Sequence, residues 1–399
     1  MEDAVWWKVP QRRGSEVRRV CVARKVLFTA STWGHLVNFH LPYLRYFQEA
    51  GWEVHAACGG PAAAVPCAER SISLPFEKRL GAPENFRAAG ILRRRIQAEG
   101  YELISTHTAL AAFFTRLAVK GLKERPKVLN MVHGYLFDGG TPAVKRNMLL
   151  AAERWTASET DLLLTMNQWD FDAARRYRLG RRIGYIPGVG VDFSRLAESG
   201  GEAGAGGRLR ADWGIPEDAF VVLYGAEFSR RKSQWVLIQA MARLPEEAVL
   251  VLAGEGALLA ECRALVQSLG LSGRVLFPGH VPLGPWYRAA DAVASASRSE
   301  GLPFHIMEGM YMGVPVVASQ VKGHTDLIRH GENGLLCPYG DPDACAGQIR
   351  ALLRDPALGI RLARRAQQDA GRYALDAVFP LVRTQYDSLF HTKAPAYAS

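Results

Sequence analysis

Glu300-Gly301-Leu302-Pro303-Phe304-His305-Ile306-Met307-Glu308 sets one carboxylate in a Gly/Pro turn and a second, eight residues later, inside a helical run. A short apolar run, 292–295, precedes this passage, and "GVPVVAS" at 313–319 follows it. Strand, loop, helix and strand in that order make one unit of a parallel sheet. If the passage were fully helical, eight steps would separate the carboxylates by roughly 12 Å. Paired hydrolase carboxylates stand roughly 5–9.5 Å apart across one bond, so this pair is too wide for that work. It suits the two ends of one extended ligand, with a helix N-terminus between them facing an anion. A nucleotide-diphospho-sugar has that layout, with hydroxyls at each end and phosphates in the middle.

The same unit recurs along the chain. Strand candidates in the first half are 25–30, 53–58, 102–106, 127–132, 161–165 and 184–186. A second series falls at 220–224, 248–253, 274–277, 292–295, 315–318 and 334–337, after a Gly-rich stretch, 199–207, read as a flexible loop. Two doubly wound α/β domains follow, with ligands expected outside the C-terminal ends of the strands, in a cleft between facing sheets. The divisions are a mobile extension at 1–20, a first domain at 21–192, a second at 193–374, and a segment at 375–399 whose helix packs back on the first domain.

With 399 residues, 48% hydrophobic and 22% charged, the chain has the composition of a globular protein with room for two cores. No apolar run approaches the roughly 18 residues of a membrane span. Trp6 and Trp7 lie near arginines with no apolar stretch of a secretory leader, and six scattered cysteines show no metal-ligand spacing. These features place the chain in the cytoplasm. The formal net charge is +10, and residues 1–190 hold 28 Lys and Arg against 17 Asp and Glu, so all the excess is in the first half. A one-sided basic surface suits an anionic membrane or is simply solvated; no recognition motif supports nucleic-acid binding.

Several passages carry a family resemblance: 25–60, "VHGYLFDGG" from Val132, "YIPGVGVD" from Tyr185, "GAEFSRRKSQWVLIQAM" from Gly225, and 299–334 with "GVPVVAS" and "GHTDLIRHGENG". Over about 24–390 the chain resembles a family 4 retaining glycosyltransferase of GT-B fold, and within that family the bacterial capsule and exopolysaccharide enzymes. The resemblance implies that 21–192 is the acceptor domain and 193–374 the nucleotide-sugar donor domain, in which Glu300 binds the donor sugar's hydroxyls and Glu308 the ribose. The backbone of Gly301, Leu302, Pro303 and Phe304 would take the phosphates, and Lys232 would offset charge on the leaving diphosphate. The family's usual arginine five residues before Lys232 is Glu227 here, so Arg230 or Arg231 would supply the second charge, with Arg231 preferred. His133 would face the sugar from the first domain, His107 would serve the acceptor, and Gly34 would lie in a loop near the diphosphate. Gly254 and Val281 would border the base. Asp138 is given no catalytic role.

The resemblance further implies a nucleotide-sugar substrate, a UDP-sugar, with no resident cofactor and no metal expected, since no Asp-x-Asp ends a strand. A lipid-linked, polyprenyl-diphosphate saccharide is the expected acceptor. Two basic amphipathic stretches, 86–100 and 143–155, would lie on the inner face of the membrane, or else are ordinary surface helices. A soluble enzyme with a small acceptor, and a UDP-sugar 2-epimerase of the same architecture, are the rival readings.

Overall fold

A computed structural model of the protein describes residues 23–200 and 204–390. The extension at 1–20, with Trp6 and Trp7, lies outside the described residues, as does 391–399. Seven parallel strands form the first sheet: β1 (Lys25–Ala30), β2 (Glu53–Gly59), β3 (Arg70–Leu74), β4 (Leu103–His107), β5 (Lys127–Val132), β6 (Leu162–Thr165) and β7 (Arg182–Tyr185), in the order β3-β2-β1-β4-β5-β6-β7. Six more form the second: β8 (Phe220–Gly225), β9 (Ala248–Ala253), β10 (Val275–Gly279), β11 (Ala292–Ser295), β12 (Val316–Ser319) and β13 (Leu335–Cys337), in the order β10-β9-β8-β11-β12-β13. Both are doubly wound, as the sequence predicts. The central strands read as unbroken apolar runs because helices cover both faces of a parallel sheet. β9, Ala-Val-Leu-Val-Leu-Ala, is buried at every position.

Two elements depart from the sequence reading. β3, Arg-Ser-Ile-Ser-Leu, is absent from it because an edge strand buried only at alternate residues has no apolar run. The ends of the Gly-rich stretch 199–207 belong to helices, Ser199 to Phe193–Ser199 and 205–207 to Ala205–Asp212, where the sequence reading has loop. Gly206 is there for contact: a Cβ on it would stand 2.4 Å from the carbonyl oxygen of Arg288. Glycine in this case signals close helix packing rather than freedom.

Strand order reverses between β1 and β4 in the first sheet and between β8 and β11 in the second. At such a switch the neighbouring loops part and leave a crevice. The loops that follow β8 and β11 carry Lys232 and Glu300, and the histidines lie at or just beyond the ends of β1, β4 and β5. Helix Leu375–Asp387 lies on the first sheet, where the Tyr386 hydroxyl is 2.8 Å from Ser105 Oγ and the Tyr46 hydroxyl donates to Asp387 at 2.5 Å.

Candidate active site

Glu300 is 7% exposed and accepts from Lys232 Nζ and from Arg231 Nη1, each at 2.6 Å. Burial alone would raise its carboxyl, but the charges of Lys232 and Arg231 outweigh that and hold it down at about 2. A depressed carboxyl contributes its stabilisation above the unfolded value and loses it only as pH falls through the folded one. Glu300 therefore stays ionised from about pH 4 upward. The loop that brings the cations there is held in place: Arg298 N–H donates to the Arg231 carbonyl at 2.8 Å, and the Tyr224 hydroxyl donates to that of Lys232 at 3.0 Å. Arg231, not Arg230, is the second cation on the carboxylate. Glu227, where the family has arginine, is exposed.

Helix Phe304–Tyr311 starts just beyond this pair, with Pro303 as its cap residue and its first N–H groups free of intrahelical partners. Glu308 lies one turn in and accepts from the Tyr287 hydroxyl at 2.8 Å; burial raises its carboxyl, while that hydrogen bond lowers it. The same hydroxyl stands 2.8 Å from His305 Nδ1. His305 is thus tied into packing beneath the helix. Beside it a pocket of about 320 Å³ opens between the ends of β8, β9 and β10, lined by Glu227, Gly254, Glu255, His280 and Val281 among others. Gly254 has φ +138°, and a Cβ there would meet the Ala226 carbonyl oxygen at 2.2 Å, so only glycine fits this turn.

The first domain closes on the site through backbone. A Cβ on Gly301 would lie 2.1 Å from the carbonyl oxygen of His133, and Asn167 Nδ2 donates to the Gly301 carbonyl at 3.1 Å. Lys322 reaches across to Asp170 at 2.8 Å and to the Tyr135 carbonyl at 2.9 Å, all of it buried. Phe39 and Phe304 bring their rings within 4.6 Å. Asn167, Asp170 and Lys322 carry no motif in sequence, since a pair 152 residues apart is visible only once the sheets face each other. Gly301→Ala is expected to wedge this seam open and cost roughly 10²-fold in turnover, the usual penalty for an ångström of misplacement. Steady-state kinetics at wild-type level would contradict the closed seam.

His133 is half-buried at the seam, with Nε2 3.1 Å from His40 Nε2. Burial, aided by His35 and His107, holds its ring well below the ordinary histidine range, so it is neutral. Two expectations need correction. His107 is fully enclosed, its Nε2 3.0 Å from Ser105 Oγ and its ring 3.7 Å from that of His40, so no acceptor reaches it. The covering helix, Trp33–Phe39, also absorbs Gly34, which sits in its first turn rather than a loop; a Cβ there would meet nothing nearer than Asn38 Nδ2 at 3.9 Å. Leu302 faces inward, packing into the core against Gly188, which leaves only its backbone for a ligand.

Residues 207–370 match the family described as glycosyl transferases group 1, and 41–188 match the glycosyl transferase 4-like domain. The putative glycosyltransferase EpsD of Bacillus subtilis (strain 168) is 33% identical over 359 residues, covering 88% of this chain and 93% of that protein. A D-inositol 3-phosphate glycosyltransferase of Xylanimonas cellulosilytica is 31% identical over 306 residues, 72% of each chain. The crystal structure of Anabaena HepE in complex with UDP and glucose shares the fold, with a TM-score of 0.75 at 21% identity over 92% of this chain and 100% of that one. Two facing doubly wound sheets, both family matches and a relative at 33% identity along nearly the whole chain agree: this protein belongs to the family 4 glycosyltransferases of GT-B fold, and it is a glycosyltransferase.

Proposed function

We propose that the enzyme moves a hexosyl or N-acetylhexosaminyl group from a UDP-sugar to a hydroxyl of a polyprenyl-diphosphate-linked saccharide, with retained configuration, at the cytoplasmic face of the membrane. The observation that carries the donor half is the buried Glu300 carboxylate held by Lys232 and Arg231 beside a free helix N-terminus at the mouth of the cleft. When the diphosphate arrives, Lys232, Arg231 and the first amides of helix Phe304–Tyr311 take its charge, leaving Glu300 to accept from sugar hydroxyls. Glu308 receives the ribose, and the 320 Å³ pocket at Gly254 and Val281 receives the base. UDP is favoured because the structurally similar HepE is described in complex with it.

In the reaction the bond from the anomeric carbon to the diphosphate oxygen breaks, and a bond to the acceptor oxygen forms on the same face. The acceptor's proton passes to the departing phosphate oxygen. His133 donates a hydrogen bond to the sugar, and Lys232 stabilises the growing charge. The chain's own cations suffice for this, so the diphosphate needs no metal.

The acceptor half rests on a surface. Val144, Met148 and Trp155 are 86%, 58% and 55% exposed and fall on one stripe of helix Ala143–Thr156, with Lys145 and Arg154 exposed on its two flanks and Leu136 also exposed. That is an interfacial arrangement, apolar side chains flanked by cations. The other basic helix, Pro83–Glu99, turns Leu92 and Ile96 into the core and ties Arg93 to the Ala118 and Lys120 carbonyls, which leaves Phe86 as its one exposed large apolar side chain. Among the described residues no helix is long and apolar enough to cross a membrane. Val144→Asp combined with Met148→Asp is expected to abolish co-sedimentation with vesicles containing phosphatidylserine while activity on a soluble acceptor persists. Binding unaffected by the double variant or by anionic lipid would remove the membrane assignment.

The relative named for D-inositol 3-phosphate favours one alternative, a small soluble acceptor. UDP-, GDP- and ADP-sugars, each assayed for turnover with a polyprenyl-linked saccharide and with small polyols, separate the two. Turnover of UDP-sugar with the lipid-linked acceptor alone supports the proposal; equal or better turnover with polyols, or none with any UDP-sugar, rejects it.

A further inference from the structure

Four histidines meet behind the cleft. His35 lies within helix Trp33–Phe39 and His40 directly after it, His107 ends β4, and His133 follows β5. One ligating nitrogen from each lies within 4.8 Å of all the others. Ring centroids stand 3.7 Å apart for His40 and His107 and 6.2 Å for His35 and His107; the other four pairs fall at 4.4, 5.0, 5.2 and 5.7 Å. Four imidazoles bound tetrahedrally at a metal–nitrogen length of about 2.0–2.1 Å would place ring centroids roughly 5 Å apart. The observed separations bracket that value.

Packing alone does not account for the cluster. His35 Nε2, His40 Nδ1 and His107 Nδ1 are all buried without a hydrogen-bond partner, and His40 and His107 are wholly enclosed. Leaving a buried polar atom unsatisfied costs about 1–3 kcal/mol, and three such atoms in one cluster point to an occupant. His107 is already oriented from outside: Ser105 Oγ, itself 2.8 Å from the Tyr386 hydroxyl, holds Nε2 and leaves Nδ1 to the cluster. Outer partners of this kind fix the tautomer and aim of a ligating histidine.

The second grouping of this type, Glu53, His55 and Glu99, differs in every respect. Lys25 bridges Glu99 at 2.8 Å and Glu53 at 3.4 Å, Arg70 reaches Glu99 at 2.6 Å, and the Tyr101 hydroxyl meets His55 Nδ1 at 2.6 Å. Its charges and ring nitrogens are already matched.

We propose that His35, His40, His107 and His133 together bind one first-row divalent metal ion, of the class that imidazole favours and for which Zn²⁺ is the natural probe. With four nitrogen ligands the site is closed, as structural zinc sites are, and has no position for an activated water. Its role is to position. Coordination through one nitrogen of His133 leaves the proton on the other, fixing that ring as a hydrogen-bond donor, while the His133 carbonyl faces Gly301. Four neutral ligands also leave the ion's double positive charge in place behind the ring. The site is thus separate from diphosphate binding, which Lys232 and Arg231 serve, and it stands whether or not the donor is a UDP-sugar.

The test uses the full-length protein. After chelator treatment and dialysis, Zn²⁺ is added back and metal content is measured by plasma mass spectrometry, with Co²⁺ substitution read by visible absorption. About one equivalent per chain and the intense visible bands of tetrahedral Co²⁺ are expected. His35→Ala and His107→Ala should each weaken Zn²⁺ binding by at least about tenfold, as loss of even an outer partner does, while His55→Gln leaves it unchanged. Circular dichroism establishes that each variant is folded. Failure of folded wild-type protein to retain Zn²⁺ at micromolar concentration overturns the site. So does a weak, octahedral-type Co²⁺ spectrum, or binding that survives both histidine changes or is lost in His55→Gln. The wild-type stoichiometry and spectrum decide the matter even if a variant does not fold.

Discussion

Glu300→Gln is expected to lower turnover by about 10³-fold while the protein still folds. The change preserves shape and removes one charge, so what it tests is the ionised carboxylate. Without that carboxylate the donor sugar loses its acceptor of hydroxyl hydrogens, and Lys232 and Arg231 lose the anion that orients them. Folding survives because neither cation is sealed in: the Arg231 side chain is 48% exposed and that of Lys232 16%, so water can take over part of their pairing. Removing one partner from a fully buried pair would cost about 3–5 kcal/mol; this pair is open enough to lose less. Kinetics beside a thermal melt make the measurement. Near-wild-type turnover in a folded variant would remove Glu300 from the site. Because the carboxyl is held near 2, the acid limb of the wild-type rate profile above pH 5 should not belong to this group.

Lys232→Ala should cost about 10²- to 10³-fold, mainly in kcat rather than in donor KM. The ammonium is worth most where charge grows, on the oxygen leaving the sugar, and less in the ground state, where Arg231 and the helix amides share the diphosphate. Arg231→Ala should do less, since its guanidinium is the more exposed of the two. The double variant should lose less than the product of the single losses, because both cations act on one carboxylate and one diphosphate. A Lys232→Ala enzyme with unchanged kcat and raised KM would mean that the lysine only binds.

How much of this was legible in sequence depended on distance along the chain. β9 and β11 are legible at their observed bounds, because a strand buried on both faces is a local apolar run. β3 is not, because its evidence lies in the neighbour that it pairs with, β2. Glu300, Lys232 and Arg231 come together from two loops that a switch-point rule places side by side. The histidines show the limit. His35, His40, His107 and His133 have no ligand spacing, and only adjacency of β1, β4 and β5 in the sheet collects them. Three strands in a row that each end near a histidine was the available signal. His107 differs from its sequence expectation for the same reason: a strand end suggests access, while the helix that covers it, Trp33–Phe39, comes from far earlier in the chain.

The most direct test is a crystal structure of the protein with an intact UDP-sugar. The expected placement has diphosphate oxygens within hydrogen-bond reach of Lys232 Nζ and the first amides of helix Phe304–Tyr311, sugar hydroxyls on Glu300 and ribose hydroxyls on Glu308. A complex with the nucleotide bound elsewhere, or with Lys232 and Arg231 still paired to Glu300 and no phosphate beside them, would contradict it.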